Sequence, residues 1–140
     1  LTDEIGEFLT NLPQEWQSVQ VQHLLSHSSG LPDIDAYREE NDEIAQQKVF
    51  QDTIRFAAGQ RFEYNQTNYW LLSHIFETLT NQMLAQYILD NQFDPSTEGV
   101  IFEGSHRKIV LNQATVYDDH EQSGYLKETP YEVPARTYGT

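Results

Sequence analysis

The sequence predicts an α-rich fold. Apolar residues recur at helical spacing as far as Asn91, capping and breaking residues punctuate those runs, and β-like runs appear only beyond Pro95.

Leu1, Ile5, Phe8 and Leu9 fall at helical spacing, with Asp3 and Glu4 in the first turn where the helix dipole favours them, and Leu12-Pro13 ends that helix. Val19 and Val21 lead into a short helix through His23, Leu24 and Leu25, stopped by Gly30 and Pro32. Asp35 to Ala57 reads as a longer polar helix burying Tyr37, Ile44, Phe50 and Ile54, broken by Gly59. Thr67 is placed to cap a third helix with Tyr69, Leu72, Phe76 and Leu79 on one face. It ends at Asn81, a residue that tolerates left-handed backbone. A fourth helix covers Met83 to Asn91. Val100-Ile101-Phe102 and Ile109-Val110-Leu111 are short β-like runs, and from Asp118 to Thr140 no periodicity appears.

The chain's 140 residues, 38% apolar and 12% aromatic, amount to one domain at most with a real core to bury. Twenty-two acidic residues against 8 Lys and Arg leave a formal charge of −14, which repels phosphate backbones, so nucleic acid is not an expected partner. No cysteine is present, which excludes disulfides, thiol catalysis and cysteine metal sites. No apolar run is long enough to span a bilayer, and no signal peptide is visible. A start at Leu1 leads us to expect an internal segment of a longer protein.

Two stretches carry chemistry. His23-Leu24-Leu25-Ser26-His27-Ser28-Ser29-Gly30-Leu31-Pro32 resembles the LLxHTSGLP signature of the serine β-lactamase-like hydrolases: class C β-lactamases, low-molecular-weight penicillin-binding proteins and related esterases. Phe62-Glu63-Tyr64-Asn65-Gln66-Thr67-Asn68-Tyr69-Trp70-Leu71-Leu72 resembles that family's F-x-Y-S-N-x-G-Y-x-L-L-G segment. Looser matches are Leu1 to Leu9, to an L-x-D-D-P-V-x-K-Y-L stretch, and Asn112 to Tyr117, to an N-R-A-x-x-Y connector. The resemblance implies an α/β fold, an antiparallel sheet flanked by helices, of which this chain supplies much of the mainly helical part. Residues 1–117 would be a partial domain of that kind and 118–140 its irregular continuation.

The resemblance makes Tyr64 the catalytic tyrosine, its phenol hydrogen-bonded to the nucleophilic serine and its ionised form favoured by a nearby lysine. Gln66 falls at the substrate-contacting asparagine, offering the same donor and acceptor on a stem one methylene longer. Asn65 falls where the family has serine. His27, Ser29 and Gly30 are implied to be structural support, with Ser28 replacing the family's threonine. The reaction implied is acyl transfer through a serine ester on a small-molecule or peptidoglycan-like acyl substrate, without cofactor, in an exported, periplasmic or cell-envelope protein. The family's Ser-x-x-Lys nucleophile motif lies upstream of this stretch, so the chain alone is expected to be inactive. Gln66 in place of asparagine leaves a second reading open, a non-catalytic β-lactamase-like binding or sensing module.

Other motifs are weaker. His23 and His27 stand four apart, but no glutamate or third ligand accompanies them, so no metal is expected. Ser105-His106-Arg107-Lys108 matches Ser-x-x-Lys literally, yet a β-like run follows where that motif requires a long buried helix. Asn65-Gln66-Thr67 is formally a glycosylation sequon. The carboxylates from Glu39 to Glu43 read as a solvated helix face.

Overall fold

Backbone pairing, not a helix, organises the N-terminal stretch. The computed structural model describes residues 1–94, 117–118 and 127–128. Ile5 N–H donates to Val19 O at 2.8 Å, Gly6 N–H to Gln17 O at 3.0 Å and Val21 N–H to Asp3 O at 3.1 Å. The Ile5 and Gly6 N–H groups and the Asp3 carbonyl would otherwise close helical turns, so only a 3-10 turn forms, at Ile5–Glu7. Gly6 permits the approach, because a Cβ there would sit 2.8 Å from Gln17 Cβ. The helix expected over Leu1 to Leu12 is thus corrected, although Ile5 is buried and Phe8 and Leu9 pack on the core.

A second 3-10 turn at Gln14–Trp16 buries Trp16, whose ring meets Phe50 edge-on at 5.1 Å. Helix α1 spans Val21–Leu25, and a third 3-10 turn covers Ile34–Tyr37. Helix α2 is confined to Asp42–Val49. The long helix expected from Asp35 to Ala57 is shortened at its start because Asn41 acts as N-cap, its side chain accepting from Ile44 N–H at 3.0 Å. Tyr37, Phe50 and Ile54 pack on the core as expected, but within α2 Ala45 and Val49 face the core one turn apart, while Ile44 is 38% exposed.

Helix α3 spans Gln66–Thr80 and α4 spans Leu84–Gln92. Asn81 closes α3 at φ +52°, as its side chain allows. The N-cap of α3 is Asn65, not Thr67. Its buried side is built from Thr67, Asn68, Trp70, Leu71, Ser73 and Ile75. Of the face expected from hydropathy, Leu79 is 66% exposed, and Phe76 instead meets Tyr87 of α4 at 4.9 Å. The discrepancy arises because Thr67 and Asn68 are buried through hydrogen bonds that apolar periodicity does not register.

The core joins Ile5, Trp16, Val19, Leu24, Leu31, Ile34, Ala45, Val49, Trp70, Leu71 and Ile75. Each large side chain there stabilises the fold by roughly 1.5–3 kcal/mol. It anchors α1, the Leu31–Ile34 stretch and the start of α3 against one another.

A separate unit holds β1 (Tyr117–Asp118) and β2 (Lys127–Glu128), antiparallel with Tyr117 opposite Glu128 and Asp118 opposite Lys127. Strands of two residues are too short to show alternation, which is why this stretch read as irregular. The expected runs Val100–Phe102 and Ile109–Leu111, the Ser105–Lys108 stretch and the Asn112–Val116 part of the connector match lie outside the described residues.

Candidate active site

Helix α1 ends in a way that puts a side chain where glycine is usual. His27 N–H donates to Leu24 O and Ser28 N–H to His23 O, the paired bonds of a Schellman ending with Ser26 as C-cap. His27 therefore occupies the left-handed position, at φ +50°. Left-handed backbone costs a non-glycine residue about 1–2 kcal/mol, so this imidazole is kept despite its backbone. The helix stops here, ahead of the expected stop at Gly30.

Gly30, at φ +73°, has its own necessity. A Cβ there would lie 1.9 Å from the carbonyl oxygen of Phe56, so the segment after α2 can approach only a glycine. That segment hangs on the His27–Leu31 stretch. Arg55 N–H donates to Gly30 O, Gly59 N–H to Ser28 O and Glu63 N–H to His27 O, each at 2.8 Å. Glu63 also pairs with Arg55 at 2.5 Å and Arg61 at 3.2 Å, contacts at the surface that add little stability.

The loop then enters α3 through buried polar contacts. Asn65, 3% exposed, accepts from Thr67 N–H through Oδ1 at 2.7 Å and donates through Nδ2 to Leu31 O at 2.6 Å. The Thr67 hydroxyl donates to Pro32 O at 2.7 Å and accepts from Ile34 N–H at 2.8 Å. Gln66 N–H and Asp35 N–H both donate to Asp33 Oδ1 at 3.1 Å. Each such bond contributes on the order of 1 kcal/mol, and losing one partner of a buried pair costs more than that.

Tyr64 is carried on this frame and is 52% exposed. Its ring lies 4.5 Å from the His27 ring at an interplanar angle of 34°. The other neighbours of that imidazole are Tyr69, stacked at 5.0 Å, and Phe62, edge-on at 5.9 Å. Gln66 Nε2 donates to the Tyr64 oxygen at 3.4 Å, so the phenol proton is not committed to Gln66. Five residues singled out in the sequence, Tyr64, Gln66, His27, Ser29 and Gly30, thus form one neighbourhood.

Ser29 is buried and fully engaged. Its hydroxyl donates to Asn68 Oδ1 at 2.5 Å and accepts from Leu31 N–H at 3.2 Å. With Oδ1 thus an acceptor, Asn68 Nδ2 faces His27 Nδ1 as a donor at 3.1 Å, and Asn65 N–H donates to the same nitrogen at 3.3 Å. Both donors require Nδ1 to be unprotonated, which places the imidazole proton on Nε2. Burial pushes the His27 pKa below its ordinary value, with a backbone hydrogen bond to Asn65 and the Asp33 carboxylate pulling the other way.

Asn68 and Asp33 are the residues that sequence reasoning missed. The only cue at Asp33 was its position ahead of a helical turn; at Asn68 it was the replacement of the resembling motif's glycine. His23 turns to its own helix start, Nδ1 accepting from Gln20 N–H at 3.2 Å. Among the described residues no group of three or more His, Asp or Glu converges as a metal site would. The Asn65 amide of the formal sequon is buried in its bond to Leu31 O. A cleft of about 560 Å³ is lined by Phe8, Phe50, Trp70, His74 and Glu77 among others, and none of the candidate residues borders it.

A family model described as Beta-lactamase matches residues 1–136. The chain is 29% identical to Protein flp of Staphylococcus aureus (strain MW2), over 89% of this chain and 25% of that protein. It is 28% identical to Penicillin-binding protein 4* of Bacillus subtilis (strain 168), over 97% of this chain and 30% of that protein. The chain therefore spans less than a third of the length of these curated relatives. Among solved structures, the penicillin-binding protein from Bacillus halodurans matches with a TM-score of 0.65 at 21% identity, covering 95% of this chain and 44% of that one. The octameric penicillin-binding protein homologue from Pyrococcus abyssi matches with a TM-score of 0.68 at 24% identity, covering 94% and 33%. At such identities the likeness is one of fold, and it assigns the helix-rich chain to the fold of these proteins.

Proposed function

The chain belongs to the beta-lactamase family, and from that premise we propose that it is the tyrosine-bearing part of a serine hydrolase working through an acyl-serine ester. In this reading a serine supplied by sequence beyond these residues attacks an amide, ester or β-lactam carbonyl. Backbone N–H groups hold the oxyanion, and water releases the acyl group. Tyr64 takes part in moving the serine proton, and Gln66 presents its carboxamide to the substrate. Peptidoglycan-like acyl compounds are the substrate class and the cell envelope the location, both by analogy with the family.

The observation that supports this most is the placement of Tyr64. A half-exposed phenol sits on a loop fixed by bonds to the backbone of His27 and Leu31, and its ring is not part of the core. Such a frame suits a group that must meet a substrate at a set position. Gln66 favours the second reading, a non-catalytic binding module, because its amide is already given to the Tyr64 oxygen.

The test is acylation of a protein carrying this chain with its flanking sequence. After exposure to a penicillin or an activated ester, intact mass should rise by one acyl group, and peptide mapping should place it on a serine outside residues 1–140. Reversible binding without any covalent adduct would favour the binding module.

A further inference from the structure

His27 holds a position that glycine fills with less strain, at φ +50°, and its ring contacts the aromatic rings around Tyr64. We propose that His27 is a positioning residue for Tyr64: its neutral imidazole, with Nδ1 as acceptor, sets the Tyr64 ring on the loop, and protonation of that nitrogen breaks its two contacts and shifts the ring while the loop's backbone bonds remain. The Asn65 N–H held at 3.3 Å belongs to the residue that follows Tyr64. The Asn68 amide held at 3.1 Å belongs to the first turn of α3. One lone pair therefore ties the loop and the helix to the end of α1. A proton on Nδ1 would turn this acceptor into a donor facing two donors, and both contacts would be lost.

The surroundings bias the imidazole toward its neutral form. Asn68 cannot turn its oxygen to an imidazolium without giving up the Ser29 hydroxyl, which donates to that oxygen. The charged and titratable groups around His27 are Asp33, the phenols of Tyr64 and Tyr69, and Glu63 with its partners Arg55 and Arg61. A backbone hydrogen bond with Asn65 and the Asp33 carboxylate favour the cation, and burial outweighs both. Glu63 is neutralised by its two arginines.

The catalytic meaning of this device rests on the role proposed for Tyr64, but its existence does not. It is tested on a protein carrying this chain with its flanking sequence, by following the imidazole nitrogens, the Asn65 amide and the Tyr64 ring by NMR from alkaline to acid pH. At alkaline pH, His27 should carry its proton on Nε2. On acidification the Asn65 amide and the Tyr64 ring should shift together with the His27 nitrogens, at one midpoint below about 6.5. Asn68→Ala removes a donor to the neutral form and should move that midpoint upward. His27→Gly, which also relieves the backbone, should make the Tyr64 ring insensitive to pH over the same range. A proton on Nδ1 at alkaline pH, or a Tyr64 ring that stays unmoved while His27 titrates in the unmutated chain, would overturn the proposal. If the coupled titration appears but turnover by the longer protein shows no acid limb at that midpoint, the positioning device stands and the role of Tyr64 falls.

Discussion

The Ser29 hydroxyl donates to Asn68 Oδ1 at 2.5 Å, joining a helix ending to a helix start 39 residues later. The bond sets the sense of a buried relay. Leu31 N–H donates to Ser29, Ser29 to Asn68, and Asn68 to the lone pair of His27. Every member is satisfied, and the relay ends at the imidazole beside Tyr64.

Ser29→Ala should leave Leu31 N–H and Asn68 Oδ1 unpaired in the interior, lowering stability by about 2–3 kcal/mol in urea unfolding. A hydroxyl so engaged should also be unreactive. A fluorophosphonate probe should leave Ser29 of the folded chain unmodified, and stoichiometric labelling there would contradict the relay.

Among the described residues two glycines, Gly30 and Gly59, have left-handed backbone, and they should respond unequally. Gly30→Ala must bear φ +73° and a methyl group 1.9 Å from Phe56 O, so the chain should lose more than about 3 kcal/mol or fail to fold. At Gly59, φ +81°, an added Cβ would meet only the His23 ring, at 3.4 Å and beyond. Gly59→Ala should therefore cost about 1–2 kcal/mol, the backbone strain alone. Equal losses in thermal melts would mean that the approach of residues 55–59 to Gly30 is wrong.

Stability should fall with acid in a way traceable to His27. Burial holds its native pKa below the free value, so the unfolded chain takes up the proton first as pH drops. The contribution is whole above about pH 6.5, declines as pH falls from there through the native pKa, and is constant below it. Carboxylates add their own acid dependence, so the informative quantity is the difference in urea midpoint between wild type and His27→Gly. That difference should change in favour of the variant on acidification, and a pH-independent difference would contradict the assignment.

Much of the helical order was legible because it rests on local signals. The short helix through Leu24, the helix after Asn81 and the left-handed ending at Asn81 follow from spacing and residue type over a few positions. Errors arose where a distant partner decided the outcome. Gly6 was the warning in the N-terminal stretch, since its value lies in letting residues 17–19 approach. The one-residue shift in the helix face at Ile44 and Ala45 has a local cause instead, the cap at Asn41.

The site divides in the same manner. Tyr64, Gln66, His27, Ser29 and Gly30 could be named because they stand in two contiguous motifs. Asn68, which is buried, and Asp33, which is half-buried, could not, because such polar side chains are explained only by their partners. Those partners lie 41 residues away for the Asn68–His27 contact and 33 for the Gln66–Asp33 contact. Hydropathy marks both residues as surface, and the hydrogen bonds bury Asn68 and half-bury Asp33.

Tyr64 carries the proposed chemistry, and the most direct measurement is steady-state turnover of p-nitrophenyl acetate by a Tyr64→Phe variant of the longer protein carrying this chain. The substitution keeps the ring that packs on His27 and removes the oxygen that Gln66 meets. With circular dichroism unchanged, kcat should fall by about a hundredfold to ten-thousandfold, the usual consequence of losing a positioned proton acceptor. Gln66→Ala should lose less, since it removes a polar contact and no proton acceptor. A folded Tyr64→Phe variant with full activity would contradict the assignment of Tyr64 to the chemistry.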